Sequence, residues 1–254
     1  MYNLFSLEGK IALITGSGRG IGFTLAQGLG ENGCTIILND IDQDRLDQSV
    51  SALSEKKIKA YCARFDVRDE EKIINQIARL EKEIGPIDIL VNNAGIQIRG
   101  PLEEFDKDDW QRILDINLSG AFLTAKAVVK GMINRKAGKI INICSIQSEL
   151  ARPTIAPYTA SKGGLKLLTR GMATDWGKYN IQVNGIAPGY FKTEMTKTLY
   201  ENKEFDAWLC NRVPANRWGN PAELVGSAVF LASKASDYVN GHIIFVDGGL
   251  RACV

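Results

Sequence analysis

Three side chains stand at a spacing that suits proton transfer: Ser145, Tyr158 thirteen residues on, and Lys162 four residues further. On one helix, the i,i+4 spacing of Tyr158 and Lys162 turns both toward the same face. A phenol with a pKa near ~10 is a poor base at neutral pH, and bringing it to about 7 takes roughly 4 kcal/mol of preferential phenolate stabilisation. A neighbouring ammonium acts in that direction, as does any second cation brought close. A serine hydroxyl beside the phenol can hydrogen-bond a reacting oxygen and steady its developing charge. Taken singly, each residue reads equally well as a surface or helix-face position. The trio therefore needs something to act on.

The stretch "TGSGRGIG" at 15–22 supplies a candidate. It departs from GxGxxG, since position 21 is isoleucine, and reads instead as TGxxxGxG through Thr15, Gly16, Gly20 and Gly22. Glycines between a strand and a helix let backbone amides approach a pyrophosphate at the positive end of the helix. Gly16, Ser17, Arg19, Gly20, Ile21 and Gly22 are thus candidate dinucleotide contacts. Asp40 follows at the end of the second strand signal, where a carboxylate accepts from an adenosine ribose and repels a 2′-phosphate. Arg19 either pairs with such a phosphate or lies solvated. Both NAD(H) and NADP(H) stay open. Asp66, with Val67 beside it, either meets the adenine edge or caps the next helix.

The elements that must position these residues alternate from end to end. Strand signals fall on "IALIT", "TIILND", "AYCARFDV", "IDILVNNAG", "KIINIC", "IQVNGIAPG" and "HIIFVDGG". Helical patterns fall near 21–32, through about 56, and at 70–83, 110–135 and 158–178, with a last helix opened by Pro221. Near-continuous apolar strands separated by helices imply a parallel sheet covered on both faces, a single-domain Rossmann-type doubly wound α/β fold over 1–254.

Composition narrows the classes. A net charge of +2 with dispersed lysine and arginine argues against nucleic acid. No apolar run reaches membrane-spanning length, and the N-terminus lacks a secretory signal pattern. Five scattered cysteines with no CxxC spacing fit free thiols in a reducing, cytoplasmic compartment. One histidine, His242, and no paired cysteines make a metal site improbable, so no metal is expected; His242 itself reads as structural.

With "TGSGRGIG", "NNAG" (92–95), "DINLSG", Ser145, "YTASK" (158–162) and "PGYFKT" (188–193) in order, the chain resembles the short-chain dehydrogenase/reductase family over essentially its whole length. The resemblance implies a nicotinamide cofactor and a catalytic tetrad of Asn117, Ser145, Tyr158 and Lys162, with Asn117 holding a water that links Lys162 to solvent. It also implies cofactor contacts from Asn93, Ala94, Gly95, Pro188, Gly189, Thr193, Tyr158 and Lys162, and a homotetramer joined through the helices near 110–135 and 158–178. Within the family, "NICSIQSEL", "AWLCNRVPANRWG" and "VNGHIIFVDGG" are similar to bacterial gluconate 5-dehydrogenases, which implies a sugar-acid substrate.

Arg99 and Arg152 flank the expected pocket, and guanidinium grips a carboxylate through two hydrogen bonds; each arginine otherwise makes an internal ion pair. Gln147 and Glu149 are placed to read hydroxyls, beside Ser145 and Tyr158. The segment 190–219, with Trp208 and Trp218, is expected to cover substrate. A 3-oxoacyl-carrier-protein reductase and a non-catalytic dinucleotide sensor are the competing readings.

Overall fold

The computed structural model describes residues 3–253. Seven strands form one sheet: β1 (Ile11–Ile14), β2 (Thr35–Asp40), β3 (Ala60–Arg64), β4 (Ile89–Asn92), β5 (Gly138–Ile143), β6 (Ile181–Pro188) and β7 (Ile243–Val246). Their order is β3-β2-β1-β4-β5-β6-β7, and every pairing is parallel. The chain winds outward from β1 to one edge, returns at β4 and winds to the other. This reversal opens a crevice at the carboxyl ends of β1 and β4, where ligands enter such sheets.

Side-chain alternation along the strands divides the core in two. Ala12 and Ile14 pack with Leu25 and Leu29 of α1 (Gly20–Glu31), Leu46 and Leu53 of α2 (Gln43–Glu55), and Ala228 from further along the chain. Leu13 faces the other way, onto Ile73 and Ile77 of α3 (Glu70–Glu83) and onto Val128 and Met132. Both layers are sealed from water, which accounts for the unbroken apolar strands.

The helix expected near 110–135 is two helices, α4 (Lys107–Leu114) and α5 (Gly120–Arg135), joined by one π-helical turn at Asp115–Ser119. Apolar spacing runs through the junction, so periodicity could not show it. The third strand stops at Arg64 because the Asn39 side chain takes the Ala63 and Phe65 carbonyls at 2.9 and 3.0 Å, turning the chain toward the crevice. Helix α6 (Ala156–Trp176) is the longest; beyond β6 come α7 (Lys197–Tyr200), α8 (Lys203–Arg212) and α9 (Val225–Ala232). Pro221 opens a 3-10 turn that feeds α9, with Asn220 and Glu223 closing a capping box at its start.

Candidate active site

The glycine turn is shaped by close approaches rather than by flexibility alone. Gly16 has φ +61°, and a Cβ there would lie 2.8 Å from the Ala94 Cα. A Cβ on Gly18 would stand 2.7 Å from Asp40 Oδ2, and one on Gly22 would strike the Gly16 carbonyl. Gly20, also at φ +61°, has open space where its Cβ would be. The "NNAG" loop is tied over this turn: Thr15 Oγ1 accepts from the amides of Asn93 and Ala94 at 3.0 and 3.1 Å, and Asn93 Nδ2 donates to the Thr15 and Gly16 carbonyls. A concave, backbone-lined cradle at the start of a helix fits a dinucleotide pyrophosphate.

One cleft of about 690 Å³ runs from this cradle to the end of β5. It is lined by Gly16, Arg19, Gly20, Ile21, Gly22, Asp40, Asp66, Val67, Asn93, Ala94, Gly95, Pro188, Gly189 and Thr193, all expected from sequence. Ser17 is the exception. It is fully buried, its hydroxyl donates to the Ile14 carbonyl at 2.8 Å, and its amide donates to Asn39. It braces the turn from behind and does not reach the cleft. Asp66 lines the cleft but does not cap α3; Asp69 does, while the Arg68 guanidinium grips Asp66 and lowers its carboxyl pKa.

Arg45, unanticipated from sequence, joins Arg19 and Asp40 at the same end. It stands in the first turn of α2, its Nε 3.2 Å from Asp42 Oδ2. Counting basic residues through the first turn of the helix that follows Asp40 would have found it.

At the other end of the cleft lie Ser145, Tyr158 and Lys162. Ser145 follows β5 and caps a 3-10 turn; its Oγ accepts from the Gln147 amide at 3.1 Å, which leaves its hydrogen free for another acceptor. Tyr158 and Lys162 project from the start of α6. Lys162 is buried and donates from Nζ to the Ile143 carbonyl at 2.7 Å. Burial lowers its pKa to about 8. Burial pushes the Tyr158 phenol up to about 12, with the Ser145 hydroxyl acting the other way. In the chain alone desolvation is the largest influence on this phenol, and Ser145 is the group that acts against it.

Asn117 sits behind the cleft. Its Nδ2 donates to the Ile96 carbonyl and to Ser161 Oγ, and its Oδ1 accepts from the Ile96 amide at 2.8 Å. With both side-chain hydrogens engaged, it ties the loop after β4 to α6. The π-helical turn aims it there, and such turns recur at functional sites.

Arg99, Gln147 and Arg152 line the cleft beside the reacting end, and so does Tyr190. The Gly100 amide donates to the Thr154 carbonyl, which joins the two arginine-bearing loops. Among the described residues neither arginine pairs with a carboxylate. Burial lowers the Arg99 pKa, and the Arg152 charge adds to that. Tyr190 is raised by burial while both arginines pull it down, so its hydroxyl lies in their field.

Glu149 does not join this group. Lys166 and Arg251 hold its carboxylate at 2.6 and 2.7 Å, outside the cleft. Beyond Tyr190, Leu199, Leu209 and Trp218 make a small separate core, with Phe205 packed on it. Trp218 is buried and donates to Asp206 Oδ1, whereas Trp208 is half exposed. The Arg152 guanidinium stands 5.1 Å from the Phe205 ring centroid.

His242 lies away from the cleft; its main chain bonds Asn184 and Gly185. The buried thiols of Cys34 and Cys144 are pushed up to about 12 and 11 by desolvation. Among the described residues no cluster of potential metal ligands occurs, and no helix is long and apolar enough to cross a membrane.

The family model described as "Enoyl-(Acyl carrier protein) reductase" matches residues 16–251. A 5-keto-D-gluconate 5-reductase of Escherichia coli is 57% identical over 254 residues, covering 100% of both chains. A 2-dehydro-3-deoxy-D-gluconate 5-dehydrogenase of Formosa agariphila is 49% identical, covering 99% of this chain and 96% of its own. The crystal structure of a gluconate 5-dehydrogenase from Burkholderia cenocepacia, in complex with NADP and tartrate, superposes with a TM-score of 0.97 at 53% identity, covering 99% of each chain. Cradle, cleft and these full-length likenesses agree: the chain belongs to the short-chain dehydrogenase/reductase family and is an oxidoreductase.

Proposed function

We propose that this enzyme interconverts D-gluconate and 5-dehydro-D-gluconate, with NAD(H) or NADP(H) held along the cleft by the cradle, Asp40 and Arg19. The observation that carries the reading is the pair Arg99 and Arg152, unpaired among the described residues, in the same cleft as Ser145 and Tyr158. The sugar-acid names of the E. coli and Burkholderia relatives support it.

The dinucleotide supplies the hydride for ketone reduction and accepts it in alcohol oxidation. Tyr158 Oη gives its proton to the ketone oxygen in reduction and takes the alcohol proton in oxidation. Ser145 donates its free hydrogen to that same oxygen, steadying the charge that builds there. Lys162 holds positive charge behind the phenol, and Asn117 fixes the loop and helix that frame both. The two arginines fix the carboxylate and so present the far carbon to Tyr158. The segment 190–219 covers the substrate, anchored by Trp218 and touched by Arg152 through Phe205. The enzyme acts as a homotetramer in the cytoplasm, with α5 and α6 packing between copies; their exposed Phe122 and Leu167 suit such a contact.

The test is a matrix of NADH and NADPH against 5-dehydro-D-gluconate, 2-dehydro-D-gluconate and an acetoacetyl thioester. Reduction of the 5-keto acid with at least one cofactor is expected. Replacing Arg99 and Arg152 by alanine should raise KM for it by about tenfold or more while leaving cofactor KM alone. Activity on the thioester but not on the keto acid would instead favour an acyl-carrier-protein reductase.

A further inference from the structure

Three buried side-chain atoms among the described residues have no hydrogen-bond partner: Asn92 Oδ1, Thr159 Oγ1 and Gln147 Oε1. Only Gln147 lines the cleft. It is 8% exposed, so its orphaned acceptor faces almost no bulk water. An unmet acceptor in such a place costs stability, and a ligand hydroxyl would satisfy it.

Its neighbours say which hydroxyl. Gln147 is two residues beyond Ser145, and its own amide holds Ser145 Oγ. At its other end, Nε2 faces the Tyr190 hydroxyl at 3.5 Å, and that hydroxyl lies in the field of Arg99 and Arg152. The side chain therefore stands between the group that holds the reacting oxygen and the groups that hold a carboxylate. In gluconate the carboxylate is carbon 1 and the reacting centre carbon 5, so the midpoint is carbon 3.

We infer that Gln147 Oε1 accepts a hydrogen bond from the carbon-3 hydroxyl, making Gln147 the residue that selects gluconate-type substrates over 3-deoxy sugar acids. This rests on the sugar-acid reading above. The distinction separates the names of two full-length relatives, one a 5-keto-D-gluconate reductase and the other a 3-deoxy-sugar-acid dehydrogenase. A site built to bond a hydroxyl rejects the analogue lacking it strongly, because its own polar atom is left unpaired.

The experiment measures kcat/KM for 5-dehydro-D-gluconate and for 5-dehydro-3-deoxy-D-gluconate, which differ only in that hydroxyl. Wild type should prefer the first. In Gln147→Leu and Gln147→Met the preference should fall by roughly ten- to a hundredfold, through loss on the hydroxylated substrate, while the deoxy rate holds or rises. A held deoxy rate shows that Ser145 and the fold are intact. An unchanged preference, or equal loss on both substrates, overturns the inference and leaves the sugar-acid reading standing. A wild type inactive on both overturns that reading, and this one with it.

Discussion

Lys162 donates from Nζ to the Ile143 carbonyl at 2.7 Å, the point where β5 leaves the sheet. Besides this bond the ammonium has the Tyr158 ring at 5.8 Å and, among the described residues, no carboxylate partner, so the charge is incompletely compensated. A folded pKa of about 8 against 10.5 means that the unfolded chain binds more protons between those values. The burial cost, roughly 3 kcal/mol, is therefore fully present below about pH 8 and disappears as pH rises through 10.5. Lys162→Met keeps the volume, loses one hydrogen bond worth about 1 kcal/mol, and should be more stable than wild type by about 1–2 kcal/mol at neutral pH. Urea unfolding near pH 7 and pH 10 should show this gain shrinking with pH, in a protein that has lost its turnover.

The phenol of Tyr158 stays protonated to about pH 12 in the chain alone. Reduction uses the protonated form, so its rate should be level from about pH 6 until Lys162 loses its charge near pH 8. Oxidation needs the deprotonated form, so its rate should climb by about tenfold per pH unit over the same range. Initial rates in both directions check this, and matching profiles would count against it.

Arg19 and Arg45 share their end of the cleft with Asp40. Asp40 suits a ribose hydroxyl, whereas the arginines suit a phosphate. Replacing both arginines by alanine should raise the KM for NADPH by roughly ten- to a hundredfold and change that for NADH little. Asp40→Ser should shift preference toward NADPH. Equal losses with the two cofactors would mean that these side chains only support the turn.

Much of this site was legible because it follows local rules. The cradle needs Gly16 and Gly22 within one turn, and Tyr158 with Lys162 needs only helical periodicity. What escaped depends on contacts across the sheet. Glu149 and Gln147 looked alike two residues apart, yet Lys166 and Arg251 draw one carboxylate out of the cleft while the amide stays in. Ser17 sits inside a glycine turn that faces ligand, but Asn39 on the neighbouring strand turns it inward. Asn117 was named from the sequence, but the π-helical turn that carries it was not, because that turn leaves apolar spacing undisturbed. Arg45 was missed because its role comes from the way α2 packs over Gly18.

The most direct measurement is turnover and dinucleotide affinity in Tyr158→Phe, which removes one oxygen from the cleft. Loss of kcat by about a thousandfold or more, with the dinucleotide Kd within a few-fold of wild type, is the expected result. Turnover retained near the wild-type rate would contradict proton transfer by this hydroxyl.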